Sequence, residues 1–492
     1  MSYLSSSEKI IECFNFIGGK WTSPDEKMGS VLCPFTGKAI ANTYRSYPKT
    51  IENAVKIAKQ AQLDWGQQSL RERAQIMAKF QKWLQDNSNS LSQTISNECG
   101  KLPQEARDGL MKGIEILEFA ASMQNHDTMT KMLVSKGIHC EFRREPLGVV
   151  AGITPSNFPA MVPLWMLPIA LMVGNSFIWK PSEKTPMTSL LICNGFKECG
   201  LPDGILNVIQ GDKITVESIC DHPDIQAVAF VGSTPAAKSV YTRATAQGKR
   251  ALTLGGAKNH IILMPDAQLE LASDGILASF SGCAGQRCMA ASVLLAVGDC
   301  DHIIEDIVTK AQKFQAGKDI GAVITKQSLE RLQSAIEKSV HEGAKLSVDG
   351  RYVKVPDELS QGNWLNPTIL DNVNENSFAA TEELFGPILS IVRCKNLDHA
   401  MKIENENPYG NAASVFTTRG DVAEYVTLKA KSGMIGINVG IPVPREPFSF
   451  GGINQSKFGH GDITGNGGIE FWSNRKKVTT KWTQITNQNW MS

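Results

Sequence analysis

Between residues 146 and 234 the chain repeats one pattern: a short apolar run, a loop of turn formers, then a stretch of helical character. Pro146-Leu-Gly-Val-Val-Ala-Gly-Ile153 is an apolar run between turn residues and reads as a buried strand. The loop Thr154-Pro-Ser-Asn-Phe-Pro159 and a helix follow it. Asn175-Ser-Phe-Ile-Trp-Lys180 reads as a second strand, and 186–195 as a second helix. Ile205-Leu-Asn-Val-Ile209 is a third strand, and Ala227-Val-Ala-Phe-Val231 a fourth, ending in Gly232-Ser233-Thr234 and another helix. This alternation predicts an α/β chain containing a doubly wound dinucleotide-binding sheet.

Apolar residues at helical spacing predict earlier helices over 51–63, 75–84 and 113–121. A second unit is expected to begin near Leu254, with a strand at 259–264, a helix at 271–280 and the region of Cys288. A chain of 492 residues is too long for one core, so two or three domains are expected. The C-terminal stretch 468–482 mixes aromatic, β-branched and basic residues. It reads as an extended segment able to add to another sheet, such as a neighbouring subunit's.

With 50 Lys+Arg against 49 Asp+Glu, nothing electrostatic points to nucleic acid or an acidic membrane as partner. The most apolar stretch, 161–178, is interrupted by Pro163, Pro168, Gly174 and Asn175, so no membrane span is expected. The start of the chain carries no signal or transit pattern, and eleven cysteines lie singly without a CxxC pair. Reduced thiols and a cytoplasmic location follow. No metal site is expected.

Five segments carry chemistry. In Ser281-Gly-Cys-Ala-Gly-Gln-Arg-Cys288, a thiol with Arg287 beside it can attack a carbonyl carbon if the cation helps ionise it. An isolated cysteine is more often a buried packing residue, which is the reading for Cys283. Asn157, on a proline-braced loop, can donate to an oxyanion together with the Cys288 backbone N–H, although asparagine is also a common turn former. Lys180 and Glu183 follow a strand end, where they could hold the adenine ribose hydroxyls; a carboxylate there favours NAD over NADP. Gly232-Ser233 opens a helix suited to a pyrophosphate, or is an ordinary helix cap. Glu383 could bind the nicotinamide ribose with Phe385 at the ring, or be part of a solvated acidic face.

In this order and at these separations, the five segments resemble the aldehyde dehydrogenase superfamily from about Phe16 to the C-terminal tail. The resemblance implies a Cys288 nucleophile, an Asn157 oxyanion donor, and NAD contacts at Thr154, Phe158, Lys180, Glu183, Gly232, Ser233, Leu254, Glu383 and Phe385. It also implies an aldehyde dehydrogenase-like fold with a Rossmann-type NAD-binding domain (1–125 and 146–253) and an α/β catalytic domain (254–464). Small β oligomerisation segments (126–145 and 465–492) would build a homo-oligomer, dimer or tetramer.

Hydrolytic members carry Glu-Leu-Gly-Gly, whose Glu helps activate water; this chain has Thr253-Leu-Gly-Gly256 followed by Ala257-Lys-Asn-His260. That string, with Arg287, resembles the CoA-acylating methylmalonate semialdehyde dehydrogenases. A thiol acceptor needs less help from a base than water does. The resemblance implies oxidation of malonate or methylmalonate semialdehyde, decarboxylation, and acyl transfer to coenzyme A. Arg287 matches one of the subgroup's two carboxylate-binding arginines, and Lys112 stands at the other position. Lysine keeps the charge without the bidentate fork, so Arg107 or Arg445 are alternative partners. Two other readings stay open: a CoA-independent hydrolytic dehydrogenase, and a non-catalytic structural or binding member of the fold.

Overall fold

The structure, a computed structural model, describes residues 10–126 and 131–482. The start of the chain, and the parts of the proposed oligomerisation segments at 127–130 and 483–492, lie outside the described residues.

An eight-stranded sheet carries five parallel strands in the spatial order Arg250–Leu254, Ile225–Val231, Val149–Ile153, Ser176–Lys180, Leu206–Val208. Strand order reverses between Val149–Ile153 and Ile225–Val231, as in a doubly wound dinucleotide-binding fold. Alternate side chains explain why these runs are apolar throughout. Val150, Phe177, Trp179 and Ala229 enter one core with the helices Leu70–Asp86, Pro103–His126 and Met161–Val173. Val149, Ala151, Ile178 and Val228 enter another with Pro48–Gln67, Lys213–Asp221 and Thr234–Ala246. A strand covered by helices on both sides has no polar face.

A second sheet has seven strands in the order Lys345–Val348, Thr368–Asp371, Ile388–Cys394, Ala291–Val297, Asn259–Leu263, Ala412–Phe416, Met434–Ile437. All its pairings are parallel except the first. The same alternation buries Ile262 and Val293 on one face, Ile261 and Leu294 on the other.

The strands and helices expected between 146 and 246 are present, each within a few residues of its expected bounds. Two expectations need correction. Leu254 does not open the second unit; it ends the fifth parallel strand of the first sheet. Residues 468–472 are not extended, because Gly465–Trp472 is a helix whose Ile469 and Trp472 are buried in the first core. The extended part is Ser473–Lys481, paired antiparallel with this chain's own Ile138–Pro146, beside Lys131–Ser135. The apolar segment near 161 is the buried helix Met161–Val173; among the described residues no helix is long and apolar enough to cross a membrane.

Candidate active site

The site lies between two sheet edges. The first sheet contributes the C-terminal ends of its parallel strands, around Thr154, Lys180, Gly232 and Leu254. The second contributes residues just before its strands: Cys288 ahead of Ala291–Val297 and Glu383 ahead of Ile388–Cys394.

On the first edge, the buried Lys180 Nζ donates to Glu183 Oε2 at 3.0 Å and to the Gly211 carbonyl at 2.8 Å. Burial works against charge on Glu183, but Lys180, a backbone hydrogen bond and Lys184 together outweigh it, and the carboxyl stays below its ordinary value. Thr154 braces the edge: its N–H donates to the Lys180 carbonyl, and its hydroxyl accepts from Trp179 Nε1 at 2.9 Å. The Gly232 N–H donates to the Leu254 carbonyl, and a Cβ on Gly232 would lie 2.6 Å from the Phe230 ring. Ser233 is the N-cap of Thr234–Ala246, and its hydroxyl makes no capping bond. Pro235 in that first turn has no N–H, so this helix end offers one donor fewer to an anion than a proline-free turn would.

On the second edge, the helix Leu269–Ser281 runs into a tight 3-10 turn, Gly282–Gly285. Cys283 and Ala284 there have φ near +54° and +52°, and Gly285 has φ +67°. A Cβ at Gly285 would sit 2.1 Å from the Gly386 carbonyl carbon. Only glycine therefore lets the Cys288 segment run against the backbone that carries Glu383 and Phe385. Beyond the turn, the Cys288 carbonyl accepts from Asn259 Nδ2 at 2.8 Å and Asn411 Nδ2 at 2.9 Å. Asn157 joins the two edges by donating from Nδ2 to the Gln286 carbonyl at 3.0 Å.

Cys288 lines a cavity of about 570 Å³. Phe158, Met161, Trp165, Met289 and Phe450 form its apolar wall. Lys112, Arg287 and Arg445 also face it, so the structure gathers both proposed substrate cations; Arg107 is exposed and does not line it. Each proposed substrate cation already faces acid. Lys112 Nζ lies 2.7 Å from Glu115 Oε2, and Arg287 lies 4.0 Å from Glu105 Oε1. Glu105 is fixed by the backbone N–H of Cys283 at 2.5 Å and of Leu102 at 3.0 Å. A substrate carboxylate would have to compete with these partners.

Arg287 directs its hydrogen bonds to Cys283 and Ala278, although its neighbour in sequence is Cys288. Its Nε donates to Cys283 Sγ at 3.3 Å and one terminal nitrogen to the Ala278 carbonyl at 3.3 Å. Cys283 therefore seats the arginine rather than merely packing. Burial pushes the Cys288 thiol up to about 12, with Glu383 adding to the rise; Lys101 and Arg287 oppose it and do not prevail. In the cofactor-free protein, iodoacetamide labelling of Cys288 should climb about tenfold per pH unit between about pH 7 and 9, with no plateau. Mass spectrometry of the tryptic peptide beginning at Cys288 measures this. A plateau near pH 8 would mean that the thiol is ionised in the resting site.

Several participants gave no local signal. Lys101 is buried with its ammonium 3.0 Å from the centroid of the Phe158 ring. Asn411 and Glu105 reach Cys288 and its turn from distant parts of the chain. Asn259 does have a local signal, since it belongs to the Ala-Lys-Asn-His string. Glu383 Oε1 accepts from the Ala257 N–H at 2.9 Å, and burial raises its carboxyl above the ordinary value. Phe385 has a left-handed φ of +54° and is half-buried. Among the described residues no cluster of His, Cys, Asp and Glu could hold a metal ion.

Residues 21–478 match the aldehyde dehydrogenase family model. The chain is 39% identical to malonate-semialdehyde dehydrogenase 1 of Oceanobacillus iheyensis, over 97% of this chain and all of the relative. It is 40% identical to the mitochondrial acylating methylmalonate-semialdehyde dehydrogenase of Arabidopsis thaliana, over 96% of this chain and 79% of that protein. A Sinorhizobium meliloti protein described as a methylmalonate-semialdehyde dehydrogenase, solved with NAD, superimposes with a TM-score of 0.95. That match has 37% identity and covers 98% of this chain and all of the other.

Proposed function

Because this chain belongs to the aldehyde dehydrogenase family, we propose that it oxidises malonate or methylmalonate semialdehyde with NAD and passes the acyl group to coenzyme A. Cys288 Sγ attacks the aldehyde carbon. The oxyanion is held by the Cys288 N–H and by Asn157, whose amide has a second hydrogen beyond the one given to Gln286. Oxidation leaves a thioester on Cys288. Its carbonyl accepts the electron pair when a β-carboxylate leaves as CO2, and the resulting enolate takes a proton from water at its α-carbon, giving the acetyl or propionyl thioester. The coenzyme A thiol then attacks, releasing acetyl-CoA or propionyl-CoA and the Cys288 thiol.

The residues fit NAD. Lys180 and Glu183 suit ribose hydroxyls, and the ionised Glu183 disfavours a 2′-phosphate. Gly232 and Ser233 would face the pyrophosphate and Glu383 the second ribose, with Thr154, Phe158, Leu254 and Phe385 around them; bound there, NAD supplies the hydride acceptor.

Thr253 carries the choice of coenzyme A over water. It stands where hydrolytic relatives have their Glu, yet it is fully buried and donates its hydroxyl to the Ala237 carbonyl at 2.9 Å. No base is available at that position. The hydrolytic alternative would have to use Glu383, whose charge is felt at Cys288. We expect NADH formation from both semialdehydes to require coenzyme A, with acyl-CoA identified by mass spectrometry. Equal turnover without it, giving free acid, would reverse the assignment. Propanal is the control: a carboxylate-selective cavity should give it a higher KM than malonate semialdehyde, despite the acids beside Lys112 and Arg287.

The proposed domains are 1–125 and 146–253, holding NAD, and 254–464, carrying the nucleophile; Leu254 and the strand Lys457–Phe458 nevertheless pair within the first sheet. The ribbon of Ile138–Pro146 and Ser473–Lys481, flanked by the exposed Met132, Leu133 and Val134, supports a homo-oligomer, either dimer or tetramer. All eleven cysteines are free, in keeping with a cytoplasmic location.

A further inference from the structure

The loop between Arg250–Leu254 and Asn259–Leu263 wraps around Glu383. Gly256 makes room for it, since a Cβ there would lie 2.2 Å from Glu383 Oε2. Ala257 donates its N–H to Oε1. The next residue, Lys258, is 2% exposed, and its ammonium has no hydrogen-bond partner among the described residues. A buried ammonium without a partner is costly, so a protein that keeps one needs a countercharge nearby. Glu383 is the foremost charge acting on Lys258, followed by Glu382.

From this placement we infer that Lys258 is a positioning residue, which holds the Glu383 carboxylate by charge while Ala257 holds it by hydrogen bond. The inference rests on Glu383 binding the nicotinamide ribose. The other titratable groups around Glu383 are Arg331, which donates to the Leu384 carbonyl at 2.5 Å, and the thiol of Cys288 and hydroxyl of Tyr409, both raised by burial and so neutral. Arg331 also favours the carboxylate, but a backbone carbonyl occupies it; Lys258 has no such partner. Burial raises the Glu383 carboxyl, with Ala257, Lys258 and Arg331 pulling it back. Burial also brings the Lys258 ammonium down to about 7. Each of the two charges therefore favours the other.

The test is NADH affinity by fluorescence, measured on full-length protein across about pH 5.5 to 8.5. Lys258→Met keeps the length of the side chain and removes the charge; Lys258→Gln is the second variant should the first fold poorly. Either should weaken NADH binding about tenfold near neutrality. The acid limb of the affinity profile should move up by about one unit, because Glu383 without its cation takes up a proton at higher pH. Glu383→Gln should weaken binding comparably, and Lys258→Met placed on top of it should cost nothing further. Additive losses, or an unshifted pH profile, would overturn the inference and leave Lys258 a packing residue. If Glu383→Gln binds NADH normally, the ribose reading itself fails.

Discussion

Cys288→Ser should abolish aldehyde-dependent NADH formation, with a loss in kcat on the order of 10⁴-fold or more, the scale seen when a covalent nucleophile is removed. The fold gives no reason for collateral damage. The segment is held through the Cys288 backbone carbonyl by Asn259 and Asn411, and neither bond involves the sulfur. Melting temperature and NADH affinity should therefore stay at wild-type values. A serine hydroxyl cannot substitute, because its proton is far harder to remove and the described site offers no base in contact with it. The native thiol is itself pushed up to about 12 by burial, so the resting site already disfavours the ionised form. Retained turnover in Cys288→Ser, measured by NADH absorbance with propanal and with malonate semialdehyde, would remove the thiol from the chemistry. Cys283 would then be the next candidate, since it faces the same cavity.

Asn157→Ala should lower kcat by about 10²–10³-fold, the effect of losing one oxyanion donor, with little change in KM. Asn157 is anchored by the bond from Nδ2 to the Gln286 carbonyl, two residues before the nucleophile, so its amide moves with the thiol's own backbone. This geometry makes Asn157→Asp a sharper probe. A carboxylate would face the Gln286 carbonyl with no hydrogen to give and would repel a developing oxyanion, so it should be no more active than the alanine variant. Steady-state kinetics at saturating NAD and coenzyme A decide the matter. A kcat within threefold of wild type in Asn157→Ala would leave Asn157 as a loop brace and assign the oxyanion to backbone donors alone.

Local signals were readable where one short segment contains the whole physical reason. The apolar runs at 149–153, 176–180 and 225–231 are buried on both faces, and their composition says so without reference to any partner. Lys180 and Glu183 stand three residues apart and pair directly. By contrast, 468–472 reads as strand-like from its aromatic residues but is helical, because Ile469 and Trp472 are buried in a core built by distant segments. Arg287 has its hydrogen-bond partner set by distant geometry in the same way. Its neighbour in sequence is Cys288, but the left-handed turn at Cys283 and Ala284 brings Cys283 back to its guanidinium.

The sequence alone determines an α/β chain of this family, with a cysteine directly after Arg287, Lys180 and Glu183 at a strand end, and threonine at position 253. Each of those depends on residue type and short-range order, and both survive any rearrangement of distant contacts. The state of charge of the site belongs to the tertiary structure alone. Whether Cys288 is ionised depends on how completely Phe158, Trp165 and Phe450 exclude water and on how near Glu383 comes. Whether Arg287 and Lys112 are free to take a substrate carboxylate depends on Glu105 and Glu115 standing beside them. Electrostatic energy depends on separation in space and on burial, and separation along the chain measures neither.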